Sequence, residues 1–282
     1  MVRKTNFGNQ PEQRLKQIRH FVMDLDGTVY NGRTLFPFIK QLLGDLKKKH
    51  IDYTFLTNNS SQSAEAYVRK LRSMGLPVKR SQVYTSTQAT IDFLRRHHPK
   101  LKRLYLIGTN SLKREFILGD FTVVDDDRSL EPQAVIVGFD TTLTYRKLCR
   151  ASYWIKAGKL FIATHPDLIC PTDQETLLVD CGSLCAALEA ATGRKPDAVP
   201  GKPNPAMINN IMQRHGLERY EVAMVGDRLY TDMEMARQVG IMSILVLSGE
   251  TTPSDLKRST FLPDLVLENV GELSKMLIQN RQ

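Results

Sequence analysis

The sequence predicts an α/β protein built on parallel sheets, and three observations support this class. Short apolar segments alternate with longer stretches of helical periodicity along the 282 residues. Most of the short segments are apolar on both faces, as strands of a parallel sheet are when helices cover both sides. Apolar residues make up 41% of the chain and charged residues 24%, which is typical of a folded core and argues against a disordered or fibrous chain. At about 150 residues per domain, the length predicts roughly two domains.

The elements follow from this alternation in chain order. Within the first long helix, the spacing of Ile39, Leu42, Leu43 and Leu46 places the apolar side chains on one face. No internal repeat and no Ser/Gly-rich linker interrupts the pattern, so a second domain is expected as an insertion with short hinges. The predicted strands are 21–24, 53–57, 83–85, 104–107, 134–137, 160–163, 222–225, 244–247 and 265–267, and the predicted helices are 37–49, 62–74, 88–97, 145–157, 183–192, 205–215 and 231–239.

The net charge of +9 is concentrated in the first third of the chain. Residues 1–86 carry 15 basic and 6 acidic side chains, and part of the excess is the run Lys47-Lys48-Lys49. This run ends the predicted helix 37–49, where cations interact favourably with the negative end of the helix dipole. The sequence has neither zinc-finger spacing nor an RNA-binding aromatic motif. We therefore expect a solvated basic face that attracts small anions, and no nucleic-acid partner.

The cysteines and the apolar segments predict the compartment. Cys149, Cys170, Cys181 and Cys185 form no CxxC pair and show no metal-ligand spacing with histidine, and the last two are expected as buried thiols. The N-terminal segment contains no apolar signal core, and no run of about 18 apolar residues occurs. We expect a soluble cytoplasmic protein with no membrane partner.

The first predicted strand ends in two acidic residues, in Asp24-Leu25-Asp26-Gly27-Thr28. In an open α/β sheet, the carboxyl ends of the strands line the ligand crevice. Gly27 allows the chain to turn here, so Asp24 and Asp26 can divide the chemistry between a nucleophile and an acid or base. Taken alone, such a pair is more often two solvated aspartates in a loop.

Two further segments suit a phosphate group. Thr57-Asn58-Asn59-Ser60-Ser61 follows a predicted strand and offers a hydroxyl group and free backbone N–H groups, although Asn and Ser are also common helix caps. Lys202 lies in Pro200-Gly201-Lys202-Pro203, on a stiff backbone just before a predicted helix. A lysine held in this way can offset phosphoryl charge, whereas a lone lysine is usually solvated.

The last motif, Gly226-Asp227-Arg228-Leu229-Tyr230-Thr231-Asp232, follows the strand 222–225. Asp227 and the carboxylates of the first motif can converge on Mg²⁺, which prefers oxygen ligands. Asp232 also suits the N-terminal turn of a helix, where a negative charge is favourable.

In this order and combination, the four motifs resemble those of the haloacid dehalogenase (HAD) superfamily of phosphatases. The details of DLDGT, TNNSS, GKPNP and GDRLYTD, together with the segments 161–167 and 182–189, are similar to the p-nitrophenyl-phosphatase/NagD-type branch. The resemblance covers the whole chain. It implies a Rossmann-like parallel-sheet core, residues 1–86 plus 180–282, with an inserted α/β cap domain at 87–179.

The resemblance also implies a mechanism and a cofactor. Asp24 is the nucleophile that forms an aspartyl-phosphate, and Asp26 is the acid and then the base. Mg²⁺ is held by the carboxylates of Asp24 and Asp227 and the backbone carbonyl of Asp26. Thr57, Lys202 and the backbone N–H groups near Leu25 and Asn58 bind the phosphoryl oxygens, with Asn59 and Asp232 in support. An acid at position 26 favours O-phosphate substrates.

The implied substrate is a small phosphate monoester, a sugar phosphate or a nucleoside monophosphate. Selectivity is expected in the cap, where Thr164-His165-Pro166-Asp167 would present His165 and Asp167 to the leaving group; relatives commonly have Asn in place of His165. The resemblance leaves a homodimer through the cap open. Two alternatives stay open as well: a phosphotransferase or phosphomutase that uses the same aspartyl-phosphate, and a non-catalytic binding protein.

Overall fold

A computed structural model describes residues 11–125, 130–172 and 175–279. The segment before residue 11, on which the expectation about targeting partly rests, lies outside the described residues. The helices are α1 (Pro11–Gln17), α2 (Ile39–Lys48), α3 (Ala64–Ser73), α4 (Ser86–His97), α5 (Asn110–Leu118), α6 (Tyr145–Lys156), α7 (Cys181–Thr192), α8 (Ala206–His215), α9 (Glu234–Val239), α10 (Pro253–Arg258) and α11 (Val270–Gln279). The strands are β1 (His20–Asp24), β2 (Tyr30–Asn31), β3 (Thr34–Leu35), β4 (Asp52–Thr57), β5 (Val83–Thr85), β6 (Arg103–Ile107), β7 (Thr122–Val123), β8 (Ala134–Val137), β9 (Leu160–Ala163), β10 (Ile169–Cys170), β11 (Leu178–Val179), β12 (Val222–Gly226), β13 (Met242–Val246) and β14 (Leu265–Leu267).

The chain divides into two compact units. The first comprises residues 1–57, 68–83 and 205–282, and the second comprises 58–67 and 84–204. A six-stranded sheet has the order β14-β13-β12-β1-β4-β5, and β12, β1 and β4 are mutually parallel. A four-stranded parallel sheet, β7-β6-β8-β9, forms the centre of the second unit. The predicted fold class, α/β with parallel sheets, is confirmed.

The central strands are buried because they are apolar on both faces. Every residue of β1 and of β12 is buried, as the continuous apolar runs predict. In α2 the apolar residues of the predicted face are buried, and Lys47 and Lys48 form the last turn. The basic run therefore ends an amphipathic helix, as expected.

The second unit has two hydrophobic clusters. One contains Phe116 and Leu112 of α5, and the other contains Trp154 of α6 with Cys181 and Cys185 of α7. The expected burial of these two thiols is confirmed. Because α7 packs into this cluster, the compact unit extends to residue 204, beyond the limit of 179 predicted for the inserted domain. The domain limits stay a prediction.

Most predicted elements occur within about two residues of their predicted bounds, and the differences are local. The helix predicted at 231–239 begins instead as a π-helical turn, Leu229–Met233, and continues as α9. The helices α1, α5, α10 and α11, the strand β7 and the short strand pairs β2-β3 and β10-β11 were not predicted from the sequence. Among the described residues, no helix has both the length and the apolar character needed to cross a membrane.

Candidate active site

In the first unit, the predicted functional residues collect at the carboxyl ends of adjacent strands. Asp24 is the last residue of β1, Thr57 is the last residue of β4, and Asp227 directly follows β12. All three side chains are buried. The chain passes from β1 to β4 on one side and returns to β12 on the other, and open α/β sheets bind ligands at such a reversal of strand order.

Asp24, Asp227 and Asp232 form a buried cluster, which we call the carboxylate cluster. One carboxylate oxygen from each lies within 4.8 Å of the others, and the residues are 6%, 2% and 0% exposed. The π-helical turn 229–233 carries Asp232, whose Oδ2 accepts a hydrogen bond of 3.3 Å from the backbone N–H of Arg228. Such extra-residue turns are frequent at functional sites.

The carboxylate cluster fits a divalent cation. Burial and the negative charges of Asp24 and Asp232 raise the pKa of Asp227 to about 8. Its Oδ2 accepts a hydrogen bond of 2.7 Å from the backbone N–H of Glu250, but its buried Oδ1 has no hydrogen-bond partner among the described residues. A cation would supply the missing positive charge, and this oxygen would be one of its ligands. Carboxylate oxygens are the ligands that Mg²⁺ prefers.

Two glycines make room for the Asp227 carboxylate. Gly27 has φ +86°, and a Cβ there would lie 2.3 Å from Asp227 Oδ2. At Gly249, a Cβ would lie 2.0 Å from the same oxygen. Both distances are far below van der Waals contact, so any side chain would displace the carboxylate. Gly27 therefore serves this close approach as well as the predicted turn.

Asp26 follows β1 by two residues and is partly buried. The Tyr30 hydroxyl donates a 3.1 Å hydrogen bond to Asp26 Oδ2, and Lys70 Nζ lies 3.8 Å from the centre of the Tyr30 ring. Burial raises the pKa of Asp26 to about 6, with Asp24 adding to the rise and Lys70, Tyr30 and Arg228 opposing it. A carboxyl group of this pKa can both give and take a proton near neutral pH.

Part of this site was not predicted from the sequence. Arg228 Nε lies 2.9 Å from Glu250 Oε2, and the Tyr230 hydroxyl donates a 2.7 Å hydrogen bond to Glu250 Oε1. Glu250 belongs to the segment 248–251, which follows β13 at the same edge of the sheet. Its position after a predicted strand could have identified Glu250 as a candidate site residue. Tyr30 and Lys70 could not be identified in this way, because they come from a short hairpin and a helix.

Leu25 follows Asp24 in the first unit, whereas the remaining predicted residues lie in the second unit. The Asn58 side chain hydrogen-bonds the backbone of Lys202, and both residues are buried. Asn59 Oδ1 accepts hydrogen bonds from the backbone N–H and hydroxyl of Ser61, so it stabilises the local turn. His165 is completely buried and Asp167 is partly buried. The predicted selectivity role of these two residues stays a prediction.

Comparison with known proteins gives the family. A model described as haloacid dehalogenase-like hydrolase matches residues 21–122, and a HAD-hydrolase-like model matches residues 199–273. Ribonucleotide monophosphatase NagD of Escherichia coli K12 is 33% identical, over 91% of this chain and 98% of its own. The crystal structure of 4-nitrophenylphosphatase from Thermotoga maritima has a TM-score of 0.88 and 45% identity, covering 93% of this chain and 98% of that one. A glycerol phosphate phosphatase from Mycobacterium tuberculosis, in complex with magnesium, has a TM-score of 0.84 and 31% identity, covering 94% and 78%.

The chain belongs to the haloacid dehalogenase-like hydrolase family, in its NagD branch. It is a phosphatase of phosphate monoesters, as are the named relatives, which match more than nine-tenths of its length.

Proposed function

We propose that the enzyme hydrolyses small phosphate monoesters through an aspartyl-phosphate on Asp24, with Mg²⁺ as its cofactor. The observation that carries this proposal is the carboxylate cluster. Asp24, Asp227 and Asp232 are buried together, and one oxygen of Asp227 has no hydrogen-bond partner among the described residues. A phosphate monoester would be repelled by such a site without a cation, so the acidic cluster and an anionic substrate are compatible only with fixed positive charge.

In the first step, a carboxylate oxygen of Asp24 attacks phosphorus as the bond from phosphorus to the ester oxygen breaks. Asp26 gives its proton to the departing alkoxide, which leaves as the alcohol. Its pKa of about 6 leaves enough of the carboxyl group protonated near neutral pH for this role. Tyr30, through its hydrogen bond to Asp26 Oδ2, orients the carboxyl group.

In the second step, water attacks the phosphorus of the aspartyl-phosphate. Asp26, now ionised, takes a proton from this water, and the bond from phosphorus to the Asp24 oxygen breaks. Inorganic phosphate leaves, the Asp24 carboxylate is restored and Asp26 is again protonated. One residue thus acts as acid and then as base, which suits its partly buried position beside Asp24.

Asp24 and Asp227 would hold the Mg²⁺ through their carboxylates and Asp26 through its backbone carbonyl, with Asp232 in support. When bound, the ion supplies positive charge that offsets the phosphoryl oxygens and the crowded carboxylates. The relative from Mycobacterium tuberculosis that was solved with magnesium supports this choice of metal.

The other phosphoryl contacts are assigned by the family resemblance. They are the Thr57 hydroxyl, the backbone N–H groups near Leu25 and Asn58, and the Lys202 ammonium group. We extend the proposal to the second unit as the substrate-selecting cap. Nucleoside monophosphates and sugar phosphates are the substrate classes, and the ribonucleotide and glycerol phosphate activities named for two relatives support small, soluble esters.

The test is phosphate release from p-nitrophenyl phosphate, nucleoside monophosphates and sugar phosphates, with and without Mg²⁺. We expect turnover that needs Mg²⁺ and stops in excess EDTA. Full activity in EDTA would contradict the metal assignment. Release that needs a sugar-bisphosphate activator, with transfer to a second hydroxyl group, would instead indicate a phosphomutase.

A further inference from the structure

The side chain of Asn58 holds the backbone of Lys202 at two points. Asn58 Oδ1 accepts a 2.8 Å hydrogen bond from the Lys202 backbone N–H, and Asn58 Nδ2 donates a 3.1 Å hydrogen bond to the Lys202 carbonyl oxygen. Asn58 is 6% exposed and Lys202 is 3% exposed. A Cβ on Gly201 would lie 2.9 Å from Asn58 Oδ1, so the chain before Lys202 is pressed against this amide. The pairing fixes where the Lys202 side chain begins.

Asp167 fixes which way the Asn58 amide faces. Its two carboxylate oxygens lie 3.2 and 3.1 Å from Asn58 Nδ2 and accept hydrogen bonds from it. If the amide rotated by half a turn, its oxygen would face the Asp167 carboxylate and the Lys202 carbonyl oxygen. All of these groups would then repel, so Asp167 holds the amide in the orientation that binds Lys202.

His165 lies between Asp167 and a second buried carboxylate. His165 Nδ1 is 3.4 Å from Asp167 Oδ2, and Nε2 is 3.5 Å from Asp180 Oδ1 and 3.4 Å from Ser60 Oγ. Asp180 also caps α7, accepting a 2.6 Å hydrogen bond from the Cys181 backbone N–H. With His165 neutral, the partly buried Asp167 and the buried Asp180 would have no counter-charge from this ring, which is costly.

Protonation of His165 offsets the electrostatic cost of burying these carboxylates. Burial by itself would lower the pKa of His165, but the charges of Cys181, Asp180 and Asp167 and the contact with Asp167 raise it to about 9. The ring then carries a positive charge between the Asp167 and Asp180 carboxylates and beside Cys181. Its two nitrogens face different carboxylates, Nδ1 toward Asp167 and Nε2 toward Asp180. The protonated ring therefore supplies the counter-charge for both carboxylates from within the chain.

We propose that His165 is a positioning residue for Lys202: it holds Asp167, which orients Asn58, which fixes the Lys202 backbone. This inference rests on the phosphate-binding role proposed for Lys202. It differs from the selectivity role predicted from the sequence, because a displaced Lys202 weakens the binding of every phosphate ester alike. This series of contacts, from His165 through Asp167 and Asn58 to Lys202, lies within the second unit. Its last contact is with the backbone of Lys202.

The test compares His165→Ala with His165→Asn. We expect His165→Ala to raise KM for p-nitrophenyl phosphate and for a nucleoside monophosphate by the same factor, about tenfold, with a smaller change in kcat. Inorganic phosphate should weaken as a competitive inhibitor by the same factor. His165→Asn offers an amide donor toward Asp167 but no charge, and should recover part of this loss at pH 7.

The pH profile gives the second measurement. In the wild type, phosphate inhibition should weaken as pH rises through about 9, because the imidazolium loses its proton. His165→Asn has no such proton, so this loss should be absent in that variant. If His165→Ala fails to fold, the pH dependence of phosphate inhibition in His165→Asn and in the wild type still tests the positioning role.

His20→Gln is the matched control. His20 is also a buried histidine, with Nε2 2.9 Å from Thr54 Oγ1, but it lies in the first unit, and burial and then His215 lower its pKa to about 3. Its loss should leave phosphate inhibition unchanged. Unchanged inhibition in His165→Ala, an altered substrate ranking, or an alkaline loss retained in His165→Asn would overturn the positioning role. A wild type that hydrolyses no ester would instead contradict the proposed function.

Discussion

Two buried acidic clusters, one in each unit, have opposite electrostatic character. In the first unit, Asp24, Asp227 and Asp232 crowd together, and the pKa of Asp227 is raised to about 8 by burial and by the other two. In the second unit, Asp167 and Asp180 flank His165, whose pKa is raised by the charge of Cys181 and then by these two carboxylates. Each cluster has a spacing that would allow a metal ion.

The difference between the clusters is the source of the positive charge. The second cluster contains its own cation, so it can serve as a rigid support. The carboxylate cluster contains none among its three members, and an oxygen of Asp227 has no hydrogen-bond partner in the described part of the chain. A cluster of this kind is suited to an external ion and to a reaction. Proximity of acidic residues alone therefore does not identify a metal site; the local charge balance does.

The largest expected effect is that of Asp24→Asn. The amide has the same shape but is not nucleophilic, so turnover should fall at least about a thousandfold, which corresponds to ~4 kcal/mol of barrier. Steady-state kinetics with p-nitrophenyl phosphate measures this loss, and circular dichroism checks the fold. Residual activity above about a thousandth of the wild type would argue against covalent catalysis by Asp24.

Asp26→Asn should separate the two steps of the reaction. Loss of the acid and base should cost about 10²–10⁴-fold with sugar phosphates, whose leaving groups need a proton. With p-nitrophenyl phosphate, whose leaving group departs readily, the first step should suffer less, and the aspartyl-phosphate should accumulate. Rapid-quench kinetics followed by mass spectrometry of the protein detects it. Equal losses for the two substrates, without accumulation, would contradict the dual role of Asp26.

The carboxylate cluster should make stability depend on pH and Mg²⁺ together. The pKa of Asp227 is raised in the folded state, so its contribution to the free energy of unfolding is present below its unfolded pKa and is lost as pH rises to about 8. The metal-free protein should therefore lose this contribution between about pH 4 and pH 8.

Mg²⁺ should restore that stability by binding the ionised cluster. At a hundredfold excess over Kd we expect Tm to rise by roughly 5 °C at pH 8 and by less at pH 5, measured by differential scanning calorimetry. Asp227→Asn should raise Tm without metal and abolish the response to Mg²⁺. A response that is equal at both pH values would show that the cluster is not the binding site.

The smallest effects come from a matched pair of glycine substitutions. Gly249→Ala would place a Cβ 2.0 Å from Asp227 Oδ2, so it should displace the carboxylate and weaken Mg²⁺ binding. Gly44→Ala, on the exposed face of α2, meets no atom within 4 Å and should stabilise the helix by about 0.5–1 kcal/mol. Urea unfolding and Mg²⁺ titration compare the two variants. Similar results for both would mean that Gly249 does not shape the site.

The sequence alone determined the fold class and the residues at the ends of the central strands. Continuous apolar runs form most of β1 and β12, because the central strands of a parallel sheet are covered by helices on both faces. A polar residue that ends such a run must lie at an edge of the sheet. For this reason the apolar pattern by itself was enough to place Asp24, Thr57 and Asp227 at one edge.

Tertiary structure alone decided how charges are paired. Asp24 and Asp227 are far apart in the chain, and only their burial side by side raises the pKa of Asp227. The sequence predicted that His165 faces a leaving group, yet its side chain is completely buried between Asp167 and Asp180. Electrostatic energy depends on distance and on access to water, which folding sets and local sequence does not. The sequence therefore determined which groups lie near the site, and the packing of the chain determined their charge.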